Sequence, residues 1–442
     1  MLTLSSAKWL PLLIAAPLQP QLAIERLASE PTRFGTVVDG AGDTDMDGFG
    51  DVVLGAVWDR TKEGKDGRVV VFSGKTGEKL HEVFGEQAGA HFGFSVSGAG
   101  DANADGARDF IVGAPLESLK KAEHAGVVRV YSGRNTKVLL ELEGEEGDYF
   151  GWSVRGAGDV DQDGFSDLVV GAPRAMGEKK GSGRVGCVRV FSGKKGKVLH
   201  EWYGDAPGDL FGSCVDSAGD VDGDGSSDLV ATALSGEYVR IFSGRNGKLL
   251  HEFKGEPGSG IGWIARRAGD TNQSGASEVV LGFPSDEKRG ALVLAPKKGK
   301  TLWTADRPDS EGAEGWSFGA SVDGAGDVNA DGFRDVVIGD AGFPVSLSDP
   351  SGGGLGPIVA KVRAPQARAG YAVVLSGKDG KELQRFEGDK VDDFFGVSVS
   401  GAGDCNSDGS GDVVVAAGKD APFHARLYSG LDGRVLQTFK IE

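Results

Sequence analysis

Asp43-Thr44-Asp45-Met46-Asp47-Gly48-Phe49-Gly50-Asp51 is the stretch on which the fold turns. Oxygen-bearing side chains stand at its positions one, three, five and nine, and glycine at position six. It follows Gly40-Ala41-Gly42 and runs into the β-branched segment Val52-Val53-Leu54-Gly55-Ala56. The Ala-Gly-Asp step that opens it, preceded by Gly, Ser or Arg, recurs along the chain with its aspartate at Asp43, Asp101, Asp159, Asp220, Asp270, Asp327 and Asp404. The spacing is roughly 50 to 77 residues and mostly near 58, a period that belongs to propellers, solenoids or arrays.

Outward from the loop, each unit reads alike. A Phe-Gly opens a short alternating stretch before it, as in Phe92-Gly93-Phe94-Ser95-Val96, Phe150-Gly151-Trp152-Ser153-Val154 and Phe395-Gly396-Val397-Ser398-Val399. After the loop come a β-branched run (Leu168-Val169-Val170-Gly171-Ala172-Pro173), a variable connection and an alternating strand (Val188-Arg189-Val190-Phe191-Ser192-Gly193). A glycine turn such as Arg245-Asn246-Gly247 then leads to a last strand, Lys79-Leu80-His81-Glu82-Val83-Phe84 in the first unit. No segment carries a sustained apolar stripe of helical period. Four antiparallel strands joined by hairpin-type turns make one propeller blade, and radial repetition leaves little sheet edge open.

The expected fold is therefore all-β: a seven-bladed β-propeller of four-stranded antiparallel blades over residues 23–442, with blades starting near 34, 92, 150, 211, 261, 318 and 395. A parallel β-helix needs much shorter repeats, and two packed sandwiches of pooled strands are the remaining alternative. The last unit carries its own outer strand at 434–440, and the segment 22–27 also has outer-strand character, so the pattern leaves ring closure open.

The chain of 442 residues holds 74 glycines without a collagen period, as many tight turns between short strands require. A formal charge of −17 argues against nucleic acid or an anionic membrane surface as partner, and such a surplus repels itself unless cations neutralise part of it. Cys187, Cys214 and Cys405 form no paired framework and no CxxC spacing, so buried free thiols are expected. Near the N-terminus, Lys8 precedes an apolar run at 9–18 broken by Pro11 and Pro17. That run is too short to span a bilayer and has the length of a signal-peptide core, so 1–22 is a candidate signal peptide although no A-x-A site follows. No membrane insertion of the mature chain is expected.

The loops carry the chemistry. In the first, Asp43, Asp45, Asp47 and Asp51 supply side-chain oxygens, Gly48 permits the sharp turn, and the Phe49 carbonyl can face inward. The same spacing gives Asp101, Asn103, Asp105, the Ala107 carbonyl and Asp109, and then Asp159, Asp161, Asp163, the Phe165 carbonyl and Asp167. It returns as Asp220, Asp222, Asp224, the Ser226 carbonyl and Asp228, and as Asp327, Asn329, Asp331, the Phe333 carbonyl and Asp335. The last is Asp404, Asn406, Asp408, the Ser410 carbonyl and Asp412. Hard oxygen ligands in this number suit Ca²⁺, whereas Mg²⁺ demands tighter octahedral geometry and Zn²⁺ prefers nitrogen or sulfur.

Four carboxylates stand in each of loops one, three and four, and three in each of loops two, six and seven. Six calcium ions would bring the formal charge from −17 to about −5. The fifth loop, Asp270, Asn272, Ser274, Gly275 and Glu278, keeps the turn glycine but few carboxylates, so weak or absent metal is expected there. An EF-hand is excluded because its bidentate Glu at position twelve is replaced by Leu54, Val112, Val170, Ala231, Leu281, Ile338 and Val415.

Phe-Gly before these loops and Gly-Ala-Pro after the second strand (Gly113-Ala114-Pro115, Gly171-Ala172-Pro173) resemble the FG-GAP repeat, which builds the N-terminal seven-bladed propeller of integrin α subunits. The likeness runs from Phe34 to the C-terminus, with Ile261-Gly262 in place of Phe-Gly in unit five and Ala231-Thr232-Ala233 in place of Gly-Ala-Pro in unit four. The resemblance implies calcium loops on one face that stabilise the blades, and a protein or carbohydrate ligand on the opposite face. That face would be built from connections such as 341–370, which contains Lys361, Arg363 and Arg368, and 58–68. It also implies a secreted, periplasmic or cell-surface setting, where abundant calcium suits weak sites.

Enzyme signatures are sparse. His81, His200 and His251 occupy the same place in the last strand of their units, which points to structure. Each is followed by Glu, but the fifth residue of any H-E-x-x-H is Gly85, Gly204 or Gly255. No nucleophile elbow, Walker loop or dinucleotide fingerprint occurs, and the paired carboxylates of the sequence lie in the metal loops. A binding or adhesion module is the expected function, with a structural scaffold or a channel enzyme as alternatives. Convergent polar side chains in the central channel would favour the enzyme.

Overall fold

The computed structural model describes residues 36–60, 66–284, 289–306, 317–342, 369–391, 393–418 and 423–441. Among them are seven four-stranded antiparallel sheets, each built from four consecutive strands in the order of the chain. The first blade runs Thr36–Gly42, Asp51–Arg60, Asp66–Phe72 and Lys79–Phe84; the seventh runs Ser398–Gly403, Asp412–Ala417, Phe423–Tyr428 and Val435–Ile441. This is a seven-bladed β-propeller. The candidate signal segment, the strand-like segment 22–27, Phe34-Gly35 and most of 341–370 lie outside the described residues.

Strand character follows depth in the blade. Second strands such as Asp109–Ala114 and Asp167–Ala172 are buried along their whole length, and after the leading aspartate their sequences are unbroken apolar runs. Outer strands such as Val198–Tyr203 are exposed or half-buried along their whole length. The Phe-Gly steps lie just before the first strand, in a tight turn, in blades two, three, six and seven; only in the fourth does Phe211 open the strand itself. The reason is contact between blades. Gly93 N–H donates to Gly113 O at 3.1 Å, and a Cβ on Gly113 would stand 2.1 Å from Gly151 O of the next blade. The Gly of Gly-Ala-Pro and the Phe-Gly of the following unit are thus pressed together, which no larger residue permits.

The core lies between blades. Phe150 is fully buried among Ile111, Val128 and Val130 of blade two and Val170 and Phe191 of blade three. The seam between blades seven and one is built the same way, with Leu54, Val70 and Phe72 against Val414, Leu427 and Phe439. Val38 N–H donates to Ser398 Oγ across that seam at 3.2 Å, as Val399 N–H does to Ser321 Oγ at 2.9 Å one blade earlier. Among the described residues blade seven is built from its own four strands, and the seam with blade one is held by side-chain packing and hydrogen bonds across it.

The outer strands add a clamp. His200 Nε2 lies 2.6 Å from Gly244 O of the next blade, Trp303 Nε1–H donates to Gly377 O at 2.6 Å, and Gln437 Nε2–H donates to Lys75 O at 3.0 Å across the closing seam. The repeated histidine position is structural.

One expectation is corrected at the channel. The residue before the Gly-Ala-Gly type step on each first strand faces the axis, and the seven are Asp39, Ser97, Arg155, Asp216, Arg266, Asp323 and Ser400. Three aspartates therefore converge outside the metal loops, although nothing in the linear sequence pairs them. Arg155 Nη1 bonds Asp39 Oδ2 at 2.9 Å and its Nε lies 3.9 Å from Asp216. Ser400 Oγ stands 2.7 Å from both Asp39 Oδ1 and Asp323 Oδ2. One hydroxyl proton cannot serve two carboxylates, so a second proton on Asp323 completes the set. Burial, and then the Asp39 charge, push the Asp323 carboxyl up to about 7.

Because the folded state holds that proton from pH 3.8 up to about 7, stability from this group is present at low pH and falls as pH rises through about 7. In EDTA, wild type should lose melting temperature between about pH 4 and pH 7 more steeply than Asp323→Asn, which has no proton to lose. Equal slopes in thermal melts would contradict the shared proton.

Candidate metal centres

Each Asp-rich loop joins the first and second strands of a blade, and its backbone is fixed by its own carboxylates. The position-one aspartate accepts the N–H groups of positions five and six; in the first loop Asp43 takes Asp47 at 3.0 Å and Gly48 at 2.9 Å. The same pair recurs on Asp101, Asp159, Asp220, Asp327 and Asp404. Position four is left-handed in every loop even where it is not glycine, as at Met46 (φ 63) and Gln162 (φ 60), and position six is a glycine near φ 88 in loops one and three.

Position nine is the head of the second strand and is buried. Its Oδ2 accepts the N–H of position two at 2.7–2.9 Å in all six loops of the full pattern. Its Oδ1 accepts, at 3.0–3.2 Å, the N–H of the glycine two residues beyond the third strand: Gly74, Gly133, Gly193, Gly244, Gly377 or Gly430. Burial pushes Asp51, Asp109, Asp167, Asp228, Asp335 and Asp412 up to about 6 against these donated hydrogen bonds. Such carboxylates stay ionised more readily beside a bound cation.

The carboxylates also converge. One ligand oxygen from each of Asp43, Asp45 and Asp51 lies within 4.8 Å of the others, and so do those of Asp159, Asp161 and Asp167, and of Asp220, Asp222 and Asp228. These groups can hold a metal ion. Loops two, six and seven have the neutral amides Asn103, Asn329 and Asn406 at position three, and each amide oxygen accepts the position-five N–H at 2.9–3.1 Å. Position five stands outside the three groups: Asp47 Oδ1 accepts Phe49 N–H at 3.0 Å and its Oδ2 lies 3.5 Å from Lys75 Nζ. Asp163 and Lys194 repeat that pair at 3.5 Å, and the two lysines sit 4.3 Å from the Phe49 and Phe165 ring centres.

The fifth loop keeps the shape and changes the chemistry. Gln273 and Gly275 hold the same left-handed turns at φ 56 and 78. Glu278 Oε2 accepts Thr271 N–H at 2.8 Å, as the aspartates do, but the glycine donor is gone because Ala295-Pro296 ends the third strand and proline has no N–H. Glu278 Oε1 accepts Asn272 Nδ2–H at 2.7 Å instead, leaving Asn272 Oδ1 buried without a partner. An amide hydrogen thus points where the other loops point oxygen, and a cation would require that amide to turn round. The signal for this in the sequence was Pro296, which pairs with Glu278 only in the fold.

Adjacent loops touch. Position-eight N–H groups donate to the position-one carbonyl of the preceding blade: Arg108 to Asp43 at 2.9 Å, Ser166 to Asp101 at 2.9 Å and Gly411 to Asp327 at 2.9 Å. A cation that orders one loop therefore acts on its neighbour. Sequence reasoning missed the channel set, because its members differ in type from unit to unit; the signal was a polar residue at one fixed register in all seven repeats. Cys187, Cys214 and Cys405 are buried and free, as expected.

Residues 150–186 match the FG-GAP repeat family. Integrin alpha-5 of Xenopus laevis is 33% identical over 195 residues, covering 40% of this chain and 18% of the relative. Integrin alpha-IIb of Homo sapiens is 34% identical over 182 residues (37% and 17%), and integrin alpha-PS5 of Drosophila melanogaster is 33% identical over 192 residues (40% and 18%). The matched stretch thus spans less than a fifth of each of these relatives. With seven blades that repeat the Phe-Gly, Gly-Ala-Pro and aspartate-loop elements in register, the chain is an integrin α-like FG-GAP repeat protein.

Proposed function

We propose that this protein is a calcium-loaded propeller that works outside the cytoplasm, secreted, periplasmic or at the cell surface, as a binding or adhesion module for a protein or carbohydrate. The observation that carries the metal assignment is the convergence of three carboxylates at one point in loops one, three and four. The proposed ligands in each of six loops are the side-chain oxygens of positions one, three, five and nine and the carbonyl of position seven, which are the residues named for each loop above. Their donor set is oxygen alone, which suits calcium. In loops one and three a divalent cation would draw the position-five aspartate away from its lysine.

Support for a binding role is the likeness to integrin α subunits over two fifths of the chain. Among the described residues no helix is long and apolar enough to cross a membrane. The channel enzyme has one observation in its favour, the convergence of Asp39, Asp216 and Asp323. Against it, Asp39 is already held by Arg155 and Ser400, so no catalytic residue is assigned. Peptide and glycan arrays probed with and without EDTA separate binding from scaffolding: ligands retained only with calcium support the module, and blank arrays support the scaffold.

Metal that binds the folded state alone stabilises it by mass action, about 2.7 kcal/mol per site at a hundredfold excess over Kd. Chelation should therefore lower the melting temperature measured by calorimetry, and an unchanged melt in EDTA would remove structural calcium from the account. The joint substitution Asn272→Asp and Ser274→Asp should enlarge the calcium-dependent gain by up to the same amount, since it withdraws the amide hydrogen from Glu278 and adds two carboxylates. A gain no larger than that of wild type would show that loop five lacks metal for another reason.

A further inference from the structure

The channel opens, on the face opposite the metal loops, into a cavity of about 100 Å³. Its aromatic wall includes Phe94, Trp152 and Trp263, and among the described residues no aspartate or glutamate lines it. Arg155 and Arg266 form its charged floor. Arg155 is paired with Asp39, but Arg266 has no carboxylate partner among the described residues; its Nη1 is held by Cys214 Sγ at 2.6 Å and by the carbonyls of Val215 and Ala265 at 3.3 and 3.2 Å. A guanidinium held by neutral acceptors keeps its charge uncompensated.

Five serines line the cavity; Ser95 and Ser213 give their hydroxyl protons to the Gly151 and Leu210 carbonyls, and the other three are free to donate. Ser153, Ser321 and Ser398 each accept a backbone N–H through Oγ, from Val215, Val399 and Val38, which leaves their hydroxyl protons to donate. The Trp152 side chain is 4% exposed, and its indole N–H is buried with no hydrogen-bond partner, while the equivalent N–H of Trp263 reaches Ala320 O at 3.0 Å. A buried donor without an acceptor is costly unless something else supplies the acceptor.

We propose that the channel mouth binds a carboxylate carried on a short apolar stem. Arg266 supplies the charge, the Trp152 N–H and the serine hydroxyls supply further hydrogen bonds, and the Phe94, Trp152 and Trp263 rings enclose the stem. The same chemistry comes from a free small carboxylic acid or from a glutamate side chain of a docked protein. The assignment is independent of the calcium loops, which lie at the other end of the blades.

The test follows the indole ¹⁵N–H resonances of the full chain, with Trp152→Phe identifying the Trp152 signal. Butyrate and N-acetylglutamate amide are the two carboxylate probes; butyramide and N-acetyllysine amide are the neutral and cationic controls. Both carboxylates should shift the Trp152 signal saturably, with a Kd on the order of 1 mM. Arg266→Gln should weaken them about tenfold or more while Arg266→Lys retains part of the affinity. Response to butyrate as strong as to the amino-acid probe assigns a free acid; preference for the glutamate probe assigns a protein side chain. The proposal is overturned by no saturable shift with either carboxylate, by equal binding to Arg266→Gln, or by butyramide or the lysine probe binding as well. Calcium-dependent melting of each variant serves as the folding control and reads the metal sites separately.

Discussion

In six of the seven blades one buried carboxylate joins three segments of the chain. In blade one, Asp51 at the head of the second strand takes the N–H of Thr44 in the loop and of Gly74 two residues beyond the third strand. One oxygen of the same carboxylate lies within 4.8 Å of an oxygen of Asp43 and of Asp45. A carboxylate so placed is costly to bury, which is why its pKa rises to about 6 in the absence of a cation. The propeller accepts that cost six times over in a chain of formal charge −17. A cation at each of these six loops would turn the cost into attraction, and the hydrogen bonds between neighbouring loops would pass the effect from blade to blade.

The blades themselves rest on contacts of a different kind. Phe150 and its equivalents fill the space between sheets, and the paired glycines of Phe-Gly and Gly-Ala-Pro let adjacent backbones meet. Because each interface repeats the one before it, the seam between blades seven and one needs no exchanged strand. The charged set on the axis adds a layer that the repeats do not dictate: Asp39, Arg155, Asp216, Asp323 and Ser400 tie five blades together across the channel.

Much of this was legible in the chain. Strand count, blade boundaries and metal loops all recur, and recurrence separates a signal from the noise of single segments. Phe-Gly read as the start of a strand and proved in most blades to be a turn, since its positive-φ glycine faces the neighbouring blade, which no single unit reveals. The weakness of loop five was visible in Asn272, Ser274 and Glu278, but not its cause: Pro296 lies some twenty residues from the loop and meets Glu278 only once the third strand has folded back. The channel set and the cavity above it were invisible for the same reason. Their residues come one from each blade, and Asp, Ser and Arg at one register make no motif until the ring closes.

The account depends most on the number of metal ions the loops hold. Native mass spectrometry of the protein equilibrated with calcium counts them directly, and the expected spectrum shows six ions, with one fewer in each of Asp159→Ala and Asp220→Ala. A protein that carries no calcium, or one whose ion count in both variants equals that of the wild type, would contradict the reading of these loops as metal centres.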